Sequence, residues 1–374
     1  MKRIGIYVIY DRTGIIDPYI GQVLCELSKY LSRLIVVCNF PKAILGYEYA
    51  GKYADEVFFR KNIGFDAGAY KDKLLQLLEE RELDKFDELL IANDSFYAPI
   101  YPFNNLFSRM EKEACDFWGI TRYPGGTYEG TPLQTHVQSY FMVFKSKILH
   151  SIDFYMFWKN LDYPSSFVEA VFRFEIRINQ YLLDKGYIGT AYTDIETSGH
   201  IIKFGEVPYR KYPLQLIQNA KVPVIKRKAF DFDNDGYVNA LEALMHIDKN
   251  TNYDVNLIKN HLRRTSTHVT MSPSYNLLEL EKFYYRFKNI YIYGDGGWGT
   301  NVAAYFKWKG WDFAGFLVTR CDDRVNVKEF DSTEITDEDG IIIAVGKKKI
   351  IQEIYINILK KCGDHQVFLP HFAL

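Results

Sequence analysis

The sequence predicts an α/β protein: an open, mostly parallel sheet over residues 1–270, a helical connection over 271–287, and a small second α/β domain over 288–374. Three observations predict this layout. Short apolar runs alternate with segments of helical periodicity, the pattern of strands crossed by helices. Each of the first four runs stops at a polar residue or a turn. At Lys288 the alternation restarts after a stretch rich in Thr, Ser and Pro, Thr265–Ser274.

The elements follow in order. Ile4–Tyr10 (IGIYVIY) is a buried strand that ends at Asp11-Arg12-Thr13-Gly14. Pro18 opens a helix whose Ile20, Val23, Leu24, Leu27 and Leu31 share one face. Leu34–Cys38 and Glu56–Phe59 are the next strands, closed by Asn39 and by Arg60–Gly64. A helix runs from about Ala67 to Glu80, and Leu89–Ala92 drives into Asn93-Asp94-Ser95. Phe117–Ile120 and Tyr140–Phe144 read as further strands, and Ser166–Lys185 as a helix that stops at Gly186. In the second domain Asn289–Tyr293, Phe313–Val318 and Ile341–Val345 are strands, with helices over Asn301–Lys309 and Ile350–Lys361.

Composition bounds the function. A chain of 374 residues suits two domains of roughly 100–200 residues each. A net charge of −1 offers no basic field for nucleic acid. Aromatic content of 16% suits stacking platforms for sugars or bases, and equally a Tyr- and Phe-rich core. The five cysteines, Cys25, Cys38, Cys115, Cys321 and Cys362, are odd in number and form no C-x-x-C. They read as reduced thiols of a cytoplasmic protein, not a disulfide framework or zinc site. The start enters a strand at once, with no signal-peptide pattern. No apolar stretch is long enough to span a membrane, which leaves surface attachment open.

In open α/β sheets ligands bind beyond the carboxyl ends of the strands. Asp94 there can hold a divalent cation against a diphosphate, or simply shape an Asx turn. Asn62-Ile63-Gly64-Phe65-Asp66-Ala67-Gly68 opens a helix straight after a strand. Its glycines allow close approach and the helix start attracts anions, while Asp66 alone would serve as a cap. Asp231–Glu242 (DFDNDGYVNALE) fits a calcium loop, with Asp231, Asp233, Asp235, Gly236, Asn239 and Glu242 at the ligand positions. Its incoming segment is a poor helix, and an acidic helix cap is the other reading. Gly294-x-Gly296-x-x-Gly299 follows a strand and opens a helix, as a dinucleotide fingerprint does, without a clear acidic partner downstream.

Four stretches together, RKNIGFDAGAYK (Arg60–Lys71), LLIANDSFYAPI (Leu89–Ile100), CDFWGIT (Cys115–Thr121) and HVQSYFMVFKSKIL (His136–Leu149), resemble the rhamnan synthesis protein F family of bacterial polysaccharide glycosyltransferases. The resemblance covers about Ile4 to Arg264. It implies a GT-A-like fold that binds a nucleotide-diphosphate sugar. Asn93-Asp94-Ser95 falls where such enzymes carry D-x-D, with only Asp94 a carboxylate. Asp94 is then the ligand of Mg²⁺ or Mn²⁺, with Asn93 and Ser95 as neighbours. Asp11 and Asn39 border the nucleotide, and Asn62, Gly64 and Asp66 shape the base and sugar pocket. The fold implies an acid before a Gly-aromatic pair as general base for inverting transfer. Gly186-Tyr187 is the pair here and Glu175 the preferred acid, with Glu169 and Asp116 as rivals; Glu169 is as readily a surface partner of Arg173. His136 and Gln138 suit sugar or acceptor contacts, and His200 is a late metal candidate. Lys226-Arg227-Lys228 reads first as a solvated face and second as a phosphate site. The C-terminal domain resembles small Rossmann-like units of polysaccharide enzymes.

The leading expectation is a transferase moving a sugar, rhamnose by the family's name, from a nucleotide-diphosphate donor to a surface glycan or its lipid-linked precursor. Nucleic acid is not an expected partner. The expected place is the cytoplasm, at the inner face of the cell membrane if the protein is peripheral. Two other classes stay open: an NAD(P)-dependent oxidoreductase built on the C-terminal domain, and a carbohydrate-binding protein that uses Ca²⁺ at Asp231–Glu242.

Overall fold

The computed structural model describes residues 1–128, 130–193, 205–231, 236–265, 277–320 and 325–369. These fall into two compact units: Met1–Lys228 with Ala243–Asp254, and Ala229–Glu242 with Val255–Leu374.

The larger unit is built on an eight-stranded sheet. Its strands are β1 (Arg3–Ile9), β2 (Arg33–Cys38), β3 (Glu56–Phe59), β4 (Glu88–Asn93), β5 (Phe117–Tyr123), β6 (His136–Val137), β7 (Phe141–Lys145) and β8 (Gly189–Thr193). The order is β8-β5-β7-β4-β1-β2-β3, with β6 beside β5. Pairs β1/β2, β1/β4, β2/β3 and β5/β8 are parallel, whereas β7 runs antiparallel to both β4 and β5. Central strands covered on both faces need apolar residues at every position, which is why β1 and β4 read as unbroken apolar runs.

Helices α1 (Pro18–Ser28), α2 (Phe65–Glu79), α3 (Ile152–Asn160) and α4 (Arg177–Asp184) are the main helices of this unit. Ile4, Ile6, Val8, Ile35, Leu89 and Ile91 pack with Tyr70, Leu74 and Leu77 of α2, Trp158 of α3 and Leu182 of α4. A second cluster is almost wholly aromatic. Phe103 and Phe107 meet Phe141 and Trp118 at centroid distances of 5.9–6.4 Å. The largest fully buried side chains are all aromatic. Much of the aromatic content is therefore core rather than ligand platform, each ring contributing large apolar area and favourable edge contacts.

Register decides what happens at the strand ends. Ile9 faces Cys38, Cys38 faces Phe59, and Val8 faces Asn93. The strands therefore stop together, and the next residues, Tyr10, Asn39, Arg60 and Asp94, emerge along one edge. At the opposite edge a buried ion pair, Arg3–Glu88 at 2.7 Å, ties β1 to β4.

The smaller unit has five strands, all parallel: β9 (Asn289–Tyr293), β10 (Gly315–Val318), β11 (Val327–Glu329), β12 (Asp339–Ile343) and β13 (Val367–Phe368), in the order β11-β10-β9-β12-β13. Alternation along β9 divides its side chains between two cores. Ile290 and Ile292 meet Trp298 and Phe306 of α5 (Gly297–Lys309), while Tyr291 and Tyr293 lie with Ile351 and Ile354 of α6 (Lys348–Ile358). The glycine turn joins β9 to α5. A methyl group at Gly299 would sit 1.8 Å from the Gly294 carbonyl oxygen, so this helix can approach its strand only with glycine there.

Of the calcium-loop positions, Asp233 and Asp235 lie outside the described residues, while Asp231 is exposed. Arg227–Phe230 is a single 3₁₀ turn, in keeping with the poor incoming helix, and Tyr237–Asn250 is the exiting helix. Cys25, Cys38, Cys115 and Cys362 are free thiols, and Cys321 lies outside the described residues. No described helix is long and apolar enough to cross a membrane.

The start of α2 carries a stability test. A methyl group at Gly68 would lie 2.1 Å from the Ile63 carbonyl oxygen. Gly68→Ala must therefore push the strand-to-helix loop outward, and we expect it to cost about 1–3 kcal/mol. A urea melt should show a lower midpoint at unchanged slope; an unshifted midpoint would contradict the packing of this turn.

Candidate functional site

The common edge of the strands opens into a cavity of about 510 Å³, of the size that takes a small organic ligand. Its polar side is lined by Asn39, Asn62, Asp66, Asn93, Asp94 and Ser95, with Lys226 and Lys228. Gln138, Ser139, His136 and Glu175 line it further round. Its apolar side is Leu133, Phe167, Val168, Val171 and Phe172.

The strand ends are tied to one another before any ligand is considered. The Asn93 side-chain amide donates to Asp66 Oδ2 at 2.7 Å, and its Oδ1 accepts from the Ser95 N–H at 3.2 Å and from the Ser95 hydroxyl. Asn39 donates to the Phe65 carbonyl at 2.9 Å and accepts from Arg60. Gly64, at φ +76°, ends the loop and lets α2 start beneath it. Asp94 Oδ2 accepts from the Tyr10 N–H and from Arg227, each at 3.3 Å. Burial pushes Asp94 up to about 6, against the pull of Arg227 and the Tyr10 N–H. Burial likewise raises Asp66, opposed by its hydrogen bonds from Asn93 and the Ala67 N–H.

The basic run is not a solvated face. Lys226 is 6% exposed. Its ammonium donates to Ser95 Oγ at 2.6 Å and lies 3.9 Å from the centre of the Tyr140 ring. A short antiparallel pair places it there: Ile225–Lys226 pairs with Phe96–Tyr97. Burial lowers Lys226 to about 7, partly countered by Glu175. Lys228 lies 3.9 Å over the Phe167 ring.

Glu175 enters from a helix with a widened turn. Phe167–Ala170 is α-helical, Val171–Ile176 is a π-helical turn, and α4 follows. One extra residue per turn rotates the face, so that Val171, Phe172, Phe174 and Glu175 all reach the cavity. Glu175 Oε2 accepts from the Ser139 N–H at 2.8 Å and the Ser139 hydroxyl at 2.5 Å, and Oε1 lies 3.4 Å from His136 Nε2. Burial alone would raise this carboxyl, but His136 and Ser139 outweigh it and leave it below its ordinary value. His136 Nδ1 is 2.8 Å from the Gln134 carbonyl oxygen. Asn179, buried in α4, exchanges two hydrogen bonds of 2.9 Å with the Val137 backbone and donates to the Glu175 carbonyl at 2.8 Å. It therefore locks β6 to the helix that carries Glu175.

The expected site residues Asp116, Asp11 and Glu169 are not among those lining the cavity, and Asp116 lies at the other edge of the sheet. Asp116 precedes β5 at the opposite edge of the sheet, level with the start of β4. It accepts from Lys147 at 2.8 Å and the Ile188 N–H at 2.9 Å. Asp11 organises its own turn, accepting from the Thr13 and Ile15 N–H groups. Glu169 caps its helix through Ser165 and pairs with Arg173. His200 lies outside the described residues. Tyr140, Ser139 and Asn179 joined the site without a signal in the sequence beyond their nearness to His136 and Glu175.

A divalent cation can be tested against this donor set. Both oxygens of Asp66 are engaged, by Asn93 and by the Ala67 N–H, and one oxygen of Asp94 is held by Arg227. Among the described residues no three His, Cys, Asp or Glu side chains converge on one point. What remains is one carboxylate oxygen, with a guanidinium on the same carboxylate and an ammonium on the neighbouring Ser95. Among the described residues that set does not by itself hold a divalent ion.

The profile of the rhamnan synthesis protein F family matches residues 34–285. The chain is similar to the Uncharacterized protein y4gN of Sinorhizobium fredii, 26% identical over 47% of this chain and 44% of that one. It is also similar to the Virulence protein VirA of Vibrio anguillarum, 30% identical over 50% of this chain and 57% of that one. The chain thus spans about half the length of the curated relatives it matches. Among solved structures, 4-diphosphocytidyl-2C-methyl-D-erythritol synthase overlaps 52% of this chain and 91% of its own, at 13% identity and a TM-score of 0.33. A cytidylyltransferase from Leptospira borgpetersenii overlaps 52% and 77%, at 13% identity and a TM-score of 0.29.

The buried lysine sets a pH test. Burial lowers Lys226 to about 7 in the fold, against the ordinary lysine value of 10.5 that the unfolded chain keeps. Between those values the unfolded state binds more protons, so this group makes stability rise with pH. Wild-type melting temperature should therefore climb relative to Lys226→Met from pH 7 to pH 10. Parallel curves would show that Lys226 is not desolvated.

Proposed function

Because the chain belongs to the rhamnan synthesis protein F family, we propose that it is a glycosyltransferase that moves a sugar from a nucleotide-diphosphate donor to a polysaccharide or its lipid-linked precursor. One observation carries this reading. The strand ends, the buried cation Lys226 and the carboxylate Glu175 line a single cavity of about 510 Å³. A donor's diphosphate and an acceptor's hydroxyl need just those chemistries within reach of one another.

In this reading the nucleotide lies along Asn39 and Asn62, the sugar beside Asp66 and Asn93, and the diphosphate beside Asp94, Ser95 and Lys226. Arg227 offsets the charge of Asp94, whose remaining oxygen is then an acceptor for donor hydroxyls. Glu175 is ionised at neutral pH and takes the proton of the attacking hydroxyl, with His136 and Ser139 holding it in place. The bond to the diphosphate breaks as the new glycosidic bond forms on the opposite face, which inverts the anomeric centre. Asp116 has no part in this, since it lies at the far edge of the sheet, bound to Lys147. Rhamnose is the sugar the family's name points to, and the apolar wall of Leu133, Phe167 and Val168 suits an apolar substituent.

The test is hydrolysis and transfer across a panel of nucleotide sugars, with binding measured alongside. Asp94→Ala and Asp94→Asn should both lose donor binding, the second without leaving a cavity. Glu175→Gln should keep donor binding and lose turnover by about 10²–10⁴-fold. If the Asp94 variants bind and hydrolyse donor as wild type does, the assignment is wrong.

A further inference from the structure

Among the described residues the cavity holds a buried cation with no carboxylate paired to it. Lys226 is 6% exposed, and among the described residues its ammonium has one hydrogen bond, to the Ser95 hydroxyl. Among the described residues no carboxylate forms an ion pair with it. Asp66 is bonded to Asn93, Asp94 to Arg227, and Glu175 to Ser139 and His136. A charge removed from water without an opposite charge is costly, by far more than one hydrogen bond returns. The ring of Tyr140 at 3.9 Å offsets a part of that cost. Its charged form is favoured only when an anion completes it, and it lines the cavity where an anion can enter.

Its place narrows the anion. Ser95 stands at the end of β4, one residue from Asp94, where the donor's diphosphate lies in the proposed reading. Among the described residues the donor set around Asp94 does not by itself hold a divalent ion, which is the usual source of positive charge at such a point. We propose that Lys226 is the counter-ion of the donor's diphosphate, and that this chain binds the diphosphate through its own side-chain cation without a divalent metal. The inference rests on the nucleotide-sugar reading of the cavity. Depression of Lys226 to about 7 by burial agrees with it, because a bound diphosphate would restore the charged form. Arg227 has a different duty: paired with Asp94, it keeps that carboxylate from repelling the phosphates.

Calorimetry on the full chain tests this with UDP, dTDP, GDP, CDP and inorganic pyrophosphate as probes, each in EDTA and in Mn²⁺. At least one nucleoside diphosphate should bind with a Kd that differs by less than about threefold, within ~0.7 kcal/mol, between the two conditions. Lys226→Met should weaken that binding about tenfold or more in both. This variant replaces an unpaired buried charge by an apolar side chain of similar reach, so its melting temperature near neutral pH should not fall. Lys226→Arg, which keeps the charge, should retain metal-free binding. Binding that appears only with Mn²⁺ overturns the inference and leaves the transferase reading standing. So does wild-type affinity in Lys226→Met, or equal loss in Lys226→Arg. Absence of binding by every nucleoside diphosphate in both conditions removes the nucleotide-sugar reading as well.

Discussion

A carboxylate cannot be carried into the edge of a protein core unless something there holds its charge, and Asp94 is held by Arg227 at 3.3 Å. That contact joins residues more than a hundred positions apart. It draws Ile225–Lys226 alongside Phe96–Tyr97, the pairing that sets Lys226 on Ser95. The shape of the cavity depends on it. Without Arg227 the end of β4 would leave an unpaired charge at a buried site.

A second set of ties holds the other side. Glu175 lies in a π-helical turn and is fastened to Ser139 and His136. Asn179, four residues on, clasps the backbone of Val137. Hydrogen bonds of this number on a buried carboxylate keep it ionised and keep it still. A wide helical turn is less favourable than a regular one, and such turns persist where their surroundings over-determine them. The surroundings here are β6, fixed by Asn179, and the apolar wall made by Phe167, Val168 and Val171.

Legibility in the sequence varied with the range of the interaction. Six strands of the main sheet were readable because their runs are apolar; His136–Val137 and Gly189–Thr193 carry no such run and were not. Asn39, Asn62, Asp66 and Asn93–Ser95 were readable because they follow those strands directly. Asp116 carried the same local signal, a carboxylate beside an apolar run. It starts its strand instead of ending one, and the side of the sheet it reaches depends on β7 running antiparallel. Lys226 was the reverse case. A Lys-Arg-Lys run is a solvated face by composition, and only its pairing with Phe96–Tyr97 buries it. The aromatic content, ambiguous in sequence, went largely to the core.

The sequence by itself determined the alternating α/β elements, the polar strand ends and the glycine-rich turns, because these rest on period, propensity and backbone freedom within a few residues. The tertiary structure decided which polar groups share a cavity. It set β7 antiparallel, brought Glu175 to His136, and left a lysine buried beside Ser95 without a carboxylate partner among the described residues. Those outcomes rest on desolvation and on partners far apart in the chain. A local pattern cannot carry them, since the cost of burying a charge is known only once its neighbours are.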